Sequence, residues 1–244
     1  MDTRFWGPSG WQLYHMVAQT YSGAPTHYKS FFDTMTDILP CKFCRESTKH
    51  FVEKDPPDFT SKCTLTTWLY KLHNKVNHKL RSQCKDDPKV ICPPPDPSIE
   101  KVNAIYQELV SSEMDVPPGL DFLFCVVYNY NTTFAHSYAR MFVSLTHLYP
   151  NERLRAIIKK YVTKEGLHKA VQSRDQMYAW WYALAVKLCD ATGFPIGTLR
   201  GTLQRYGRFK SGCNRGKTCR NGKKIRDHAK TYKITHDRLV QVNK

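Results

Sequence analysis

Apolar residues recur at helical spacing along most of this chain. Within residues 10–21, Trp11, His15 and Ala18 fall three and four apart, and within 26–39 Tyr28, Phe31, Phe32, Met35, Ile38 and Leu39 share one face. Pro40 interrupts the pattern. A third helix is predicted from Cys41 to about Lys54, stopped by Asp55-Pro56-Pro57. A fourth is predicted to begin near Thr64, whose hydroxyl suits an N-cap, and it repeats Trp68, Leu69, Leu72, His73, Val76, Asn77 and Leu80. Pro88 and Pro93-Pro94-Pro95-Asp96-Pro97 cannot continue a helix and read as an extended linker. Beyond them, residues 99–106, 134–148, 152–162 and 173–189 are again helical in pattern, punctuated by Pro117-Pro118-Gly119, Tyr149-Pro150-Asn151 and Gly193-Phe194-Pro195. No stretch alternates as a strand would over any length. The expectation is an all-α protein with a four-helix domain over residues 1–97, a second helical domain over 98–206, and a flexible tail over 207–244.

Composition narrows the class. Apolar residues make up 41% of the 244 positions, enough for a buried core, and no apolar run is long enough to span a bilayer. The opening Met1-Asp2-Thr3-Arg4-Phe5-Trp6 lacks a basic segment followed by an apolar one, so no secretory signal is read there. The net charge of +16 is uneven: residues 201–244 carry +11 and the first 200 only +5. A tail so basic suits an acidic partner or a nucleic acid, or is simply well solvated. Nine cysteines is a high and odd number. Without a secretory signal, such cysteines point to redox or metal chemistry more than to structural cross-links. Cys125 and Cys189 sit in apolar stretches and read as buried core thiols, and Trp180-Trp181-Tyr182 reads as core of the second region. His136, His147 and His168 accompany no motif.

The candidate chemistry lies in the first region. Cys41-Lys42-Phe43-Cys44 is a CxxC pair placed where a helix is predicted to start. Unpaired backbone N–H groups and the helix dipole favour a thiolate there, which helps a pair form and resolve mixed disulfides. Such a pair needs an electron acceptor. Aromatic residues with His and Asn donors, present in Trp6-Gly7-Pro8-Ser9-Gly10-Trp11…His15 and in His73-Asn74-Lys75-Val76-Asn77, suit a flat, polar-edged ring such as a flavin. His73 and Asn77, four apart on a helix, share a face.

These blocks carry a resemblance. With Leu39-Pro40-Cys41-Lys42-Phe43-Cys44 and Trp68…His73-Asn74-Lys75-Val76-Asn77-His78-Lys79-Leu80, the first 92 residues or so resemble the Erv/ALR family of flavin-dependent sulfhydryl oxidases, above all members from large DNA viruses that carry an added C-terminal domain. The resemblance implies a four-helix bundle that holds FAD non-covalently, as a homodimer. It implies that Cys44 is the sulfur beside the flavin and that Cys41 is attacked by the incoming thiol. Trp6, Gly7, Pro8, Trp11 and His15 would pack on the cofactor, and His73, Asn74, Val76, Asn77 and Lys79 would line it. The implied reaction oxidises dithiols of client proteins and passes the electrons to O2, giving H2O2. A viral origin would place it in host cytoplasm and virion.

The chain also departs from the family. Where many cellular members have a cysteine two residues after the tryptophan of the fourth helix, this chain has Tyr70. Cys63 and Cys84 flank the same helix, so a Cys63–Cys84 bridge and a Cys84–Cys92 bridge are both open. Cys213 and Cys219, in a Gly-rich basic segment of the tail, are a candidate shuttle pair. The rival readings are a zinc module and a nucleic-acid adaptor. Cys41, Cys44, His73 and His78 formally offer zinc ligands, but the histidines are five apart on a helix, about 140° past a full turn, so their rings diverge. The adaptor reading rests on the basic tail and no recognition fold accompanies it.

Overall fold

The computed structural model describes residues 3–84 and 92–209, together with the backbone of two short strands near the C-terminus. The described chain runs through helices α1 (Thr3–Gln19), α2 (Pro25–Asp33), α3 (Met35–Ile38), α4 (Lys42–Lys54), α5 (Lys62–Cys84), α6 (Ile99–Ser111), α7 (Leu120–Tyr128), α8 (Ala135–Leu148), α9 (Glu152–Tyr161), α10 (Lys164–Ala170), α11 (Arg174–Thr192) and α12 (Leu199–Gly207). A 3-10 turn, Thr132–Phe134, leads into α8. Strands β1 (Tyr232–Thr235) and β2 (Arg238–Gln241) pair antiparallel, so a short β-ribbon, rich in Tyr, Ile, Thr, Leu and Val, occupies part of what reads as an irregular tail. From Thr3 to Phe209 the described protein is all-α, and among the described residues no helix is long and apolar enough to cross a membrane.

Several helix boundaries differ from the periodicity, each for a local reason. Helix α1 begins seven residues before Gly10, at Thr3, and runs through Pro8. The proline forfeits one backbone hydrogen bond near the helix start, and burial of Phe5 and Trp6 offsets that loss. The predicted helix over 26–39 is two helices, broken at Thr34, whose buried hydroxyl donates to the Phe31 carbonyl at 2.7 Å and competes with the helical ladder. Helix α5 is capped by Ser61 rather than Thr64. The Ser61 hydroxyl accepts from the Thr64 N–H at 3.1 Å, and the Thr64 hydroxyl accepts from the Ser61 N–H at 3.1 Å, a reciprocal cap. Helix α7 shows no amphipathic period because it is buried all round: Phe122 to Val127 are fully enclosed.

The linker at 92–97 does not separate two cores. Buried residues of α1, α2, α3 and α5 form one continuous apolar cluster with those of α7, α8, α9 and α11. Helix α1 is the hub, packed against α5, α6 and α7, while α2 packs on α8. Close approach of α1 and α7 depends on glycine at two points. A Cβ on Gly10 would lie 3.0 Å from the Phe122 ring, and one on Gly119, at φ +76°, would lie 2.7 Å from Leu13 Cδ2. At the far side of α7, half-buried Asp121 accepts from Tyr206 Oη at 2.7 Å and lies 3.5 Å from Arg205, which pins α12 in place. Burial pushes the Asp121 carboxyl up.

One expectation is overturned by this geometry. Cys63 and Cys84 stand 21 residues apart on the single helix α5, which at the helical rise separates their Cα atoms by about 30 Å. A disulfide needs roughly 4.4–6.8 Å, so a Cys63–Cys84 bridge within one chain is excluded. The alternative Cys84–Cys92 bridge depends on the Cys84 side chain, and the candidate shuttle pair on Cys213 and Cys219; these lie outside the described residues.

Candidate active site

The CxxC pair sits at the start of α4. Cys41 is the N-cap residue in extended conformation, and its carbonyl accepts from the N–H groups of Cys44 at 3.1 Å and Arg45 at 3.0 Å. Arg45 reaches back to the Leu39 carbonyl at 2.7 Å and covers the Phe134 ring, which holds the Leu39-Pro40-Cys41 turn against the second helical region. Cys41 is buried, and Cys44 half-buried. Both open onto one cleft of about 870 Å3, counting its solvent-open mouth, between α1, α4 and α5.

The walls of that cleft suit a flat ring system. Trp6, Gly7, Trp11 and Tyr14 come from α1, with Val76, Lys79 and Leu80 from α5. Lys79 Nζ donates to Ser47 Oγ, tying α5 to α4 one turn beyond Cys44. Two buried polar atoms of residues on this wall, Trp6 Nε1 and Tyr14 Oη, have no hydrogen-bond partner among the described residues. Gly7 adds a cradle: a Cβ there would meet nothing within 4 Å, because the space beside it belongs to the cleft. Glycine also relieves the clash that a residue before Pro8 would suffer in helical conformation.

Deeper along α1 stands a column of rings. Trp11 stacks on His73 at 4.0 Å and 14°, His73 lies beside His15, and His15 stacks on Tyr106 of α6 at 4.5 Å and 5°. His15 Nε2 and His73 Nδ1 are 3.2 Å apart, so one ring donates and the other accepts. The accepting ring must be neutral, and the surroundings favour neutral rings at both positions. Burial, then the neighbouring His73, holds His15 well below its ordinary pKa; burial pushes His73 down to about 4 against the opposing pull of Asp96.

The remaining motif residues are divided. Asn74 lines a second, open groove with Lys71, Lys75, His78, Arg81 and Asp96, and Lys79 borders both spaces. Asn77 turns its amide to Asp96 Oδ1 at 2.9 Å, and Pro8 stays within the helix wall, so neither lines the main cleft. His78 belongs to the open groove and His73 to the ring column, apart from the two sulfurs. Among the described residues, no three His, Cys, Asp or Glu side chains gather as metal ligands would. Sequence reasoning missed Tyr14, Ser47, Arg81, Asp96 and Tyr106. Ser47 was findable, three residues from Cys44 on the same face; Tyr14 reads as core, and the others are set by tertiary packing.

The Erv1/Alr family matches residues 8–92. A protein of Invertebrate iridescent virus 6 named as an FAD-linked sulfhydryl oxidase is 32% identical over 92 residues, 33% of this chain and 83% of that protein. The chain belongs to the Erv1/Alr family. The mitochondrial FAD-linked sulfhydryl oxidase of Saccharomyces cerevisiae is 34% identical over 85 residues, 33% of this chain and 45% of its own length. An FAD-linked sulfhydryl oxidase of Schizosaccharomyces pombe is 30% identical over 90 residues, 34% of this chain and 43% of its own. The chain thus spans less than half the length of either yeast relative. No solved structure matches it. Within the Erv1/Alr part, the place of the missing helix cysteine is filled by Tyr70, whose hydroxyl donates to the Pro97 carbonyl at 2.9 Å, so a hydrogen bond ties α5 to the linker.

Proposed function

We propose that this protein is an FAD-dependent thiol oxidase that makes disulfides in reduced client proteins and passes the electrons to O2, giving H2O2. The observation that carries this is the opening of Cys41 and Cys44 onto one cleft walled by the rings of Trp6, Trp11 and Tyr14. Trp6, Gly7, Trp11, Tyr14, Val76 and Lys79 would hold the cofactor's ring system, and the basic groove around Lys71, Lys75, Lys79 and Arg81 suits its phosphates. When bound, FAD supplies a two-electron acceptor that can be reoxidised by O2. The protein's part is the exchange. A client thiolate attacks the Cys41–Cys44 disulfide, a mixed disulfide forms, and the second client thiol displaces it. The client leaves oxidised and the pair remains as two thiols, one of them favoured as thiolate by the α4 dipole. Cys41 is the more deeply buried sulfur, so trapping a mixed disulfide in Cys41→Ser and Cys44→Ser identifies the one attacked.

We extend the proposal to the tail. Phe209 stacks on Phe5 at 3.4 Å, and Thr3, Trp6 and Gly7 of the same end of α1 line the cleft. Cys213 follows four residues later, within about 14 Å of extended chain, which supports a Cys213/Cys219 shuttle to the CxxC pair. A homodimer, and an acidic or nucleic-acid partner for the tail, complete the proposal. The test is an absorption spectrum of the purified protein followed by oxygen uptake with dithiothreitol. Flavin bands, dithiol-dependent oxygen uptake, and a Cys44→Ser variant that keeps flavin but loses uptake are expected. Protein that takes up no FAD, or a Cys44→Ser variant with wild-type turnover, overturns it.

A further inference from the structure

The ring column does not end within the part of the chain that matches the family. Its outermost ring, Tyr106, lies on α6, beyond residues 8–92. We infer that Tyr106 is a positioning residue for the cofactor site, so that the second helical region completes that site rather than merely packing beside it. This rests on the FAD reading proposed above.

The placement of Tyr106 is built in at both ends of α6. At its start, Ser98 caps the helix by accepting from the Lys101 N–H at 3.3 Å, and the residues just before it are fastened to α5: Pro97 by Tyr70, and Asp96 by Arg81 and Asn77. Along its body, Asn103 Oδ1 accepts from Gln19 Nε2 at 2.9 Å. Asn103 and Tyr106 are three apart on α6, and His15 and Gln19 are four apart on α1, so each pair shares a face and the two faces meet. The hydrogen bond fixes the helix position, and the stack, nearly parallel at 5°, fixes the ring against His15.

What Tyr106 does follows from what His15 touches. His15 meets His73 through its Nε2 edge, and the Tyr106 ring stacked on one His15 face keeps that edge from turning away. The contact between His15 Nε2 and His73 Nδ1 then orients His73, whose face stacks on Trp11, and Trp11 lines the cleft that also holds the CxxC sulfurs. Removing the flat outer ring leaves His15 free to rotate and admits water to a contact between two buried rings. A flat ring without a hydroxyl suffices for the role, which separates stacking from hydrogen bonding.

The experiment measures FAD dissociation constants of the full-length protein, stripped of flavin and titrated, for wild type, Tyr106→Phe and Tyr106→Leu, with thermal unfolding of each apoprotein alongside. Leucine keeps an apolar side chain there but cannot stack. The expected result is Tyr106→Phe within twofold of wild type and Tyr106→Leu weaker by about tenfold, with both apoproteins cooperatively folded. Tyr106→Leu binding as wild type does overturns the inference, as does Tyr106→Phe binding as weakly as the leucine variant. Wild-type protein that binds no FAD sinks the oxidase reading itself, an outcome distinct from either.

Discussion

Replacing Asp96 by alanine should loosen the linker from α5 by an amount the structure lets one work out. Asp96 takes Arg81 in a two-pronged pair, with Nη1 3.0 Å from Oδ1 and Nη2 2.5 Å from Oδ2, and also accepts from Asn77 at 2.9 Å. The carboxylate is 20% exposed and the guanidinium 28%, so neither the value of a buried charged pair nor that of a fully solvated one applies. Charge-assisted hydrogen bonds contribute about 1.5–3 kcal/mol each when sheltered, and surface ion pairs about 1 kcal/mol or less. A total near 2 kcal/mol lies between these limits and corresponds to a fall in melting temperature of about 4–8 °C for a protein of this size. The assay is thermal unfolding of Asp96→Ala beside wild type at pH 7, repeated at high salt, where the difference should shrink. Acid gives a second arm. Burial alone would raise the Asp96 carboxyl, but Arg81 and Asn77 hold it below its ordinary value. Its stabilisation is therefore complete above about pH 4 and is lost as the pH falls through its lowered pKa, so variant and wild type should converge in strong acid. A variant that melts within 1 °C of wild type at low salt would refute the reasoning. In combination with Tyr70→Phe, which cuts the adjacent bond to Pro97, the two losses should fall short of their sum because both act on one strap.

Three further outcomes are expected. Gly119→Ala should destabilise by about 3 kcal/mol or more, read by chemical denaturation, since φ +76° is unfavourable to alanine and its Cβ would overlap Leu13; Gly193→Ala, also at positive φ but with open space beside it, should cost less. Gly7→Ala should leave apoprotein stability within about 1 kcal/mol, because better helix propensity and the clash before Pro8 oppose each other, while FAD binding weakens several-fold as the methyl enters the cleft. Stability should also fall as the pH drops from about 6.5 towards 4: the unfolded chain then binds a proton at His73 that the folded protein, with its pKa near 4, refuses. The contribution is at most about 3 kcal/mol, and His73→Asn should reduce that slope in denaturation curves while buried His15 keeps part of it; an unchanged slope would refute the role of His73.

Much of this was legible along the chain because it is local. A proline followed by CxxC where apolar periodicity resumes places the pair at a helix start, since proline cannot continue the previous helix and the first turn leaves N–H groups unpaired; Cys41 is indeed the cap of α4. Trp11 and His15, or His73 and Asn77, share faces by helical spacing alone. Other features belong to the tertiary structure. The linker prolines look like a domain boundary, yet α1 is covered on one side by α5 and on the other by α7, because two apolar faces of one helix need two partners, and composition does not say which. Asn77 turns to Asp96, 19 residues later, because the linker folds back onto α5. Cysteines that flank a helix look pairable until the helix is seen to be unbroken, and its length then keeps Cys63 and Cys84 apart. Tyr106 shows the division well. Its sequence neighbourhood is an ordinary amphipathic helix, and its stack on His15 exists only because chain segments 91 residues apart are brought face to face. Spacing in sequence determines which side chains share a face; packing of distant faces decides what each face meets.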